Sequence, residues 1–282
     1  MYREWRNLSV NEHLDKSEFT KDKFGSFAPN LCQKILIHII KKTFFKRGFF
    51  RLKLTRLVMS LKKGPLDIYF RNCAFRIHGE NNAIEYGILL NPEYNQTDID
   101  FLLEGSDSSS NFIDLGCNIG LYSLPLASSA PNGTVISIDA NPLMQSRLSF
   151  NINSSKIKNI QIVCSAVSDK NGEGSLLIRK NDTGNVSINE DIKGSIKIDT
   201  LEKIIRDQKL KSIYGLKIDI EGHEDKALVP FLLNVEEDLL PKRIVIEKKT
   251  KDTDYPGCVK AFKKLNYTLV SRSRNNSFYE KL

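Results

Sequence analysis

The stretch that most limits what this chain can become is Phe112-Ile113-Asp114-Leu115-Gly116-Cys117-Asn118-Ile119-Gly120. A short apolar run meets an acid, and two glycines then bracket an asparagine. Residues 121–130 can follow as a helix. Strand, glycine turn and helix in this order let a ligand approach the backbone, because glycine has no side chain there. About twenty residues on, a second apolar run, Val135-Ile136-Ser137-Ile138, ends in Asp139, and an acid at that spacing commonly holds a ribose. Together the two segments predict a pocket for a nucleoside-bearing cofactor.

The turn is not a dinucleotide fingerprint. G-x-G-x-x-G needs a middle glycine where Asn118 stands, and no residue supplies the third. Asp114 lies two residues before Gly116, at the mouth of the turn. A carboxylate there repels a pyrophosphate and attracts a cation. S-adenosylmethionine carries a sulfonium and an α-ammonium and no phosphate. D-x-G-x-N-x-G therefore looks like the first motif of class I methyltransferases. The competing reading is a glycine-rich turn in any α/β protein.

A third stretch, Leu216-Lys217-Ile218-Asp219-Ile220-Glu221-Gly222-His223-Glu224, is again a strand meeting a glycine turn. With Asp114 to Gly120 and Asp139-Ala140-Asn141-Pro142, it resembles the FkbM family of S-adenosylmethionine-dependent O-methyltransferases. That family shows D-x-G-A-N-x-G, E-P-N-P and K-I-D-x-E-G-x-E in this order. The resemblance covers about Asn111 to Lys249. Cys117 departs from a small alanine, and Asp139 is one methylene shorter than glutamate.

The cofactor half follows from these motifs. Gly116 and Gly120 are expected to let the turn approach the ligand closely. Asp114 is expected to orient the cofactor's ammonium through ordered groups, and Asn118 to offer its amide to the methionyl end. Asp139 takes the ribose hydroxyls with support from Asn141, and Ser165-Ala166 border the adenine. The acceptor half rests on Asp219, Glu221, His223 and Glu224, at the carboxyl end of a strand, where open α/β sheets place ligands. Asp219 is best placed to face the transferred methyl. His223 is a candidate base, with an exposed turn position as its alternative. Glu221 and Glu224 can instead be helix N-terminal acids. Lys217 is expected to pair with one of them. Glu247 ends the next strand and can close the far side of the pocket. A divalent ion on Asp219, Glu221 and Glu247 is a minor alternative, and no metal is expected.

At 282 residues the chain can bury a substantial core. Cys32, Cys73, Cys117, Cys164 and Cys258 are odd in number and widely spaced, with no C-x-x-C. They read as buried free thiols in a reducing cytoplasm. Met1 to Asp15 is polar, so no secretory leader is expected there. The net charge of +8 is uneven: residues 1–63 carry 15 Lys/Arg against 5 Asp/Glu, and residues 64–282 carry 27 against 29.

Residues 1–30 read as a poorly ordered arm. Residues 31–63 hold ten basic residues and no acid. Their apolar spacing predicts two helices separated at Gly48 and ended by Gly64-Pro65. The preferred reading is a cover over the catalytic domain with solvated Lys/Arg outside. The sharper one is weak contact with an anionic membrane surface. Nucleic acid is not expected as a partner, because the aromatics are not interleaved as stacking platforms.

Residues 66–79 read as a hairpin around Arg71-Asn72-Cys73-Ala74, and 98–103 as a helix. Strands are expected near 111–115, 134–139, 160–166, 213–219 and 242–247. Helices are expected near 119–130, 142–154, 199–208, 224–235 and 256–265. Turn signals between 169 and 198 predict inserted hairpins or a flap beside the pocket. Residues 267–271 and 277–282 read as a closing antiparallel hairpin. The expected whole is a Rossmann-like α/β domain at 65–282, mostly parallel, with a basic helical extension at 1–64. The expected activity is O-methylation of a hydroxyl on a sugar, glycan or polyketide-like metabolite. The alternatives are an N-methyltransferase or a non-catalytic binding module of the same fold.

Overall fold

The alternation of strand and helix beyond Asn111 builds a seven-stranded sheet. The computed structural model describes residues 5–7, 22–79, 82–179, 182–190 and 195–282. In chain order its elements are β1 (Trp5–Asn7), α1 (Leu31–Lys42), α2 (Gly48–Ser60), β2 (Leu66–Phe70), β3 (Cys73–Ile77), α3 (Ala83–Leu90) and α4 (Gln96–Leu103). Then come β4 (Phe112–Leu115), α5 (Ser123–Ser129), β5 (Val135–Asp139), α6 (Pro142–Ser155), β6 (Ile160–Cys164) and β7 (Ala166–Val167). β8 (Gly172–Arg179), β9 (Asp182–Glu190), β10 (Ile196–Asp199), α7 (Leu201–Asp207), β11 (Gly215–Ile218) and α8 (Glu224–Asn234) follow. The chain ends with β12 (Arg243–Glu247), α9 (Pro256–Lys264), β13 (Tyr267–Arg272) and β14 (Asn276–Lys281).

The main sheet has the order β6-β5-β4-β11-β12-β14-β13. The first five are parallel, and β14 runs antiparallel to both β12 and β13. This is the Rossmann-like class I methyltransferase architecture expected from the sequence. Strand order reverses between β4 and β11, which makes their carboxyl ends the switch point where such sheets bind ligands. Apolar residues of α5 and α6 pack on one face of the sheet, and those of α7, α8 and α9 on the other.

Three boundaries differ from the sequence expectation for local reasons. The expected strand over 160–166 breaks at Ser165. Its hydroxyl donates to the Lys197 carbonyl and reaches the Asp199 carboxylate at 3.0 Å, so Ala166–Val167 leaves the main sheet and pairs with β10. β7, β8, β9 and β10 join β1 in a second sheet, so the insert is a hairpin. The helix expected from 119 starts at Ser123, because residues 116–122 form the turn. Gly48 opens α2, and the break before it is a 3-10 turn over Phe44–Lys46.

The β2–β3 hairpin turns through Arg71 and Asn72, both left-handed (φ 47° and 63°), as a two-residue loop demands. Cys73 and Ala74 belong to the strand. Behind the hairpin Arg76 is fully buried. It forms a two-pronged pair with Asp67 (2.7 and 2.9 Å) and donates to the carbonyls of Asp22 and Lys23. Asp67 in turn accepts from the amides of Gly25 and Phe27. Residues 22–28 are therefore pinned, contrary to the expectation of a loose arm over 1–30. Much of the rest of that arm lies outside the described residues.

Ile37 and Ile40 of α1 and Val58 of α2 enter the same apolar cluster as Leu66, Phe112 and Leu124. The row Leu31, Ile35, Ile39 stays exposed. Cys73, Cys117 and Cys258 are buried free thiols as expected, whereas Cys32 and Cys164 are exposed. Among the described residues no helix is long and apolar enough to cross a membrane.

Removing one member of a buried ion pair leaves the other uncompensated, at a cost of about 3–5 kcal/mol. Asp67→Ala is expected to lower stability by that amount in urea unfolding. A loss of under about 1 kcal/mol would show that Arg76 finds water instead.

Candidate active site

Gly116 sits at φ +80°, a conformation that glycine adopts freely. A Cβ built on it would lie 1.9 Å from the carbonyl oxygen of Asp219. Glycine here serves the close approach of the β4 and β11 ends. Gly120 is likewise a packing glycine: its Cβ would meet Leu124 and Leu148 at 2.2 and 2.5 Å. It does not line the cavity, whereas Gly116 does.

Between these strand ends lies a cavity of about 220 Å³. Leu115, Gly116 and Asn118 border one side, and Ile138 and Asp139 another. Ser165, Ala166 and Val167 border the third, and Asp219, Ile220 and Glu221 the fourth. Asn82, Ala83, Ile84 and Asn275 complete the lining. Among the described residues three of the lining side chains are carboxylates, and none is Lys, Arg or His.

Asp139 ends β5 as expected. Its two oxygens accept from the amides of Asn118 (2.8 Å) and Asn141 (2.8 Å). Burial raises its pKa, while these bonds and Lys217 oppose the rise. The left-handed Asn118 (φ 49°) accepts on its Oδ1 from Asn82 Nδ2 (2.9 Å) and the Ile119 amide. Asn141 caps α6 by accepting from the Leu143 amide, and supports the Asp139 loop without lining the cavity.

Asp114 is fully buried and lies behind the cavity, not in its wall. One oxygen accepts from the amide and hydroxyl of Ser123, tying the strand to α5. The other has no hydrogen-bond partner and faces Lys217 Nζ at 3.6 Å. Lys217 also donates to the Gly116 carbonyl at 2.8 Å and lies 3.9 Å from Asp219. Burial works against its ammonium, but Asp219 and Asp114 outweigh that and hold its pKa above the ordinary lysine value. Lys217 thus joins the two glycine turns. The sequence reading gave it Glu221 or Glu224 as partner, and its ammonium lies instead beside Asp114 and Asp219.

On the acceptor side Asp219 and Glu221 reach the cavity, and His223 does not line it. His223 occupies the position before the first residue of α8. Glu221 is left-handed at φ 56°, which is uncommon for a residue other than glycine. Glu224 is buried and accepts from the amides of Ile220 (2.9 Å) and Gly222 (3.0 Å), so it holds the loop that carries Glu221. Carboxylate oxygens of Asp219, Glu224 and Glu247 lie within 4.8 Å of one another. Burial, then the charges of Asp219 and Glu221 and a hydrogen bond to Asp219, push the Glu247 pKa up to about 9. This crowding of acids therefore favours a proton on Glu247.

A second groove, of about 630 Å³, adjoins the first, since Ala83 and Asn275 line both. Its walls include Arg51, Tyr94, Glu93, Asp98 and Arg274. The sequence reading missed Asn82, Ala83 and Asn275 as parts of the site. They come from a helix start and a hairpin tip, and no local spacing connects them to the glycine turns.

The lining fits S-adenosylmethionine. Apolar Ile138, Ala166 and Val167 suit an adenine face, Asp139 suits a ribose, and the surplus of carboxylates suits a cation. Fold and cavity define a class I S-adenosylmethionine-dependent methyltransferase. The family model for the methyltransferase FkbM domain matches residues 114–269, more than half of the chain. The chain belongs to the FkbM methyltransferase family, and S-adenosylmethionine is its cofactor.

Several solved structures bear a general likeness to the chain. Methyltransferase FkbM from Methylobacillus flagellatus KT is 14% identical over 70% of this chain and 54% of its own, with a TM-score of 0.47. TYW2 from M. jannaschii, in complex with AdoMet, is 16% identical over 78% and 88%, with a TM-score of 0.43. An rRNA methylase from Streptococcus thermophilus is 14% identical over 66% and 95%, with a TM-score of 0.41. A comparison with curated proteins gave no match.

Because the folded Glu247 holds its proton up to about pH 9 and an unfolded glutamate only to about 4.5, its stabilising effect is full below the lower value. It is lost as pH rises through the upper one. Glu247→Gln is expected to flatten this decline and to leave the variant more stable than the parent at pH 9. Thermal unfolding from pH 5 to 9 checks it, and an equally steep decline in the variant would place the proton elsewhere.

Proposed function

We propose that this methyltransferase transfers a methyl group to a hydroxyl of a sugar, glycan or polyketide-like metabolite. The supporting observation is Asp219 in the cavity wall with the Glu247 carboxylate behind it, their oxygens within 4.8 Å. S-adenosylmethionine supplies an electrophilic methyl and a sulfonium leaving group. A hydroxyl acceptor must also lose a proton, and a positioned base contributes about 10²–10⁴ in rate. Asp219, with the Glu247 carboxyl beside it, is the base we assign. His223, just before the first residue of α8, is the alternative base or else a turn residue.

The cofactor contacts proposed are Asp139 for the ribose, with Asn118 and Gly116 as the floor of the methionyl end. Ser165 and Ala166 border the adenine. Asp114 acts at one remove, by fixing α5 and Lys217. Glu221 faces the acceptor. The proposed acceptor path is the adjoining groove. Its named acids, Glu93 and Asp98, equal its bases, Arg51 and Arg274. A track for a polyanionic backbone needs a surplus of cations, which is the argument for a small or glycan acceptor over nucleic acid. Residues 65–282 form the catalytic unit in this reading, and 1–64 the extension.

Two variants test the assignment. Asp139→Ala removes a charge-assisted ribose contact, and S-adenosylhomocysteine affinity is expected to fall about ten-fold or more by calorimetry. Asp219→Asn is expected to lower kcat by about 10²–10⁴ on an acceptor found by mass spectrometry, with cofactor affinity nearly unchanged. Full activity of Asp219→Asn would remove it as the base. An acceptor methylated on nitrogen would replace the hydroxyl reading.

A further inference from the structure

The two N-terminal helices bury one row of side chains and leave another outside. In α1, Gln33, Ile37 and Ile40 face inward. On the opposite side Leu31, Ile35 and Ile39 are exposed, Leu31 to 72%. Where the helices meet, four rings pack together: Phe44 on Phe45 (4.3 Å), Phe45 on Phe50 (5.3 Å) and Phe49 on Phe50 (5.2 Å). Phe49 is 85% exposed and Phe44 57%. Single exposed apolar residues need no account, but a contiguous cluster marks an interaction surface. The sequence reading of a simple cover explains the inner row and leaves this cluster without a role.

The surrounding charge is of one sign. Residues 31–63 contain ten Lys/Arg and no Asp/Glu. Lys42 and Arg47 flank the rings and are exposed, as are Lys53 and Arg56 further along α2. Lys46 pairs with Glu93 at 2.8 Å. We propose that this ring cluster and its basic flanks dock on an anionic lipid bilayer. Rings enter the headgroup boundary while Lys and Arg meet anionic headgroups. A second copy of the chain would bring like charges together. Nucleic acid would need rings spaced along a groove that tracks its backbone, and these four are packed against one another in one cluster.

The position favours the same occupant. Gly48, Arg51 and Leu52 of α2 line the second groove, one turn from Phe49. A docked protein would hold that groove near the membrane surface, within reach of an acceptor carried there.

The test uses the full chain with vesicles of phosphatidylcholine alone or mixed with phosphatidylglycerol. Sedimentation with the anionic vesicles at low salt, release at high salt and no binding to neutral vesicles are expected. The double variant Phe44→Ser/Phe49→Ser is expected to lose vesicle binding at least about ten-fold and to keep its S-adenosylhomocysteine affinity. Lys42→Gln and Arg47→Gln are each expected to weaken binding about five-fold. No binding to anionic vesicles, equal binding to neutral ones, or full binding by the double variant would overturn the proposal. So would tight binding of a single-stranded RNA that the double variant loses.

Discussion

The site depends on the contact of one carbonyl with one α-carbon. The Asp219 oxygen lies where a side chain on Gly116 would begin. Two parallel strands from distant parts of the chain can therefore bring their ends together. The turn after β4 and the turn after β11 become a single surface. Lys217 fastens it, with its ammonium against the Gly116 carbonyl and between Asp114 and Asp219. Burial of a charge is costly unless it is paired, and here two carboxylates and a carbonyl do that.

Charge then decides the ligand. Among the described residues the cavity wall carries Asp139, Asp219 and Glu221 and no cation. A ligand with phosphates meets repulsion, and a sulfonium with an ammonium meets attraction. The same crowding of acids acts on the acceptor side. Glu247 ionises less easily beside Asp219, because burial and the neighbouring acids both raise its pKa.

The core architecture was legible in the sequence because each strand is a short apolar run closed by an acid or a glycine. Residues 111–115, 134–139, 213–219 and 242–247 announce four neighbouring strands that way, and the structure places each within two residues. Asp139 and Asp219 could be read as site residues because they end such runs. What the sequence left hidden is long-range. Lys217 was legible as a strand residue but not as the partner of Asp114, more than a hundred positions earlier. The lining from Asn82, Ala83 and Asn275 depends on tertiary packing alone. In α1 two apolar rows share one helical period, and periodicity does not say which row is buried. The serine at 165 looks like any strand residue until its bond to Asp199 shows why the strand breaks there.

Selection by charge is most directly measured by calorimetric titration of the full chain with S-adenosylmethionine and with NAD at one ionic strength. Saturable binding of S-adenosylmethionine and no binding of NAD are expected. Binding of NAD without binding of S-adenosylmethionine would contradict the assignment of the cavity.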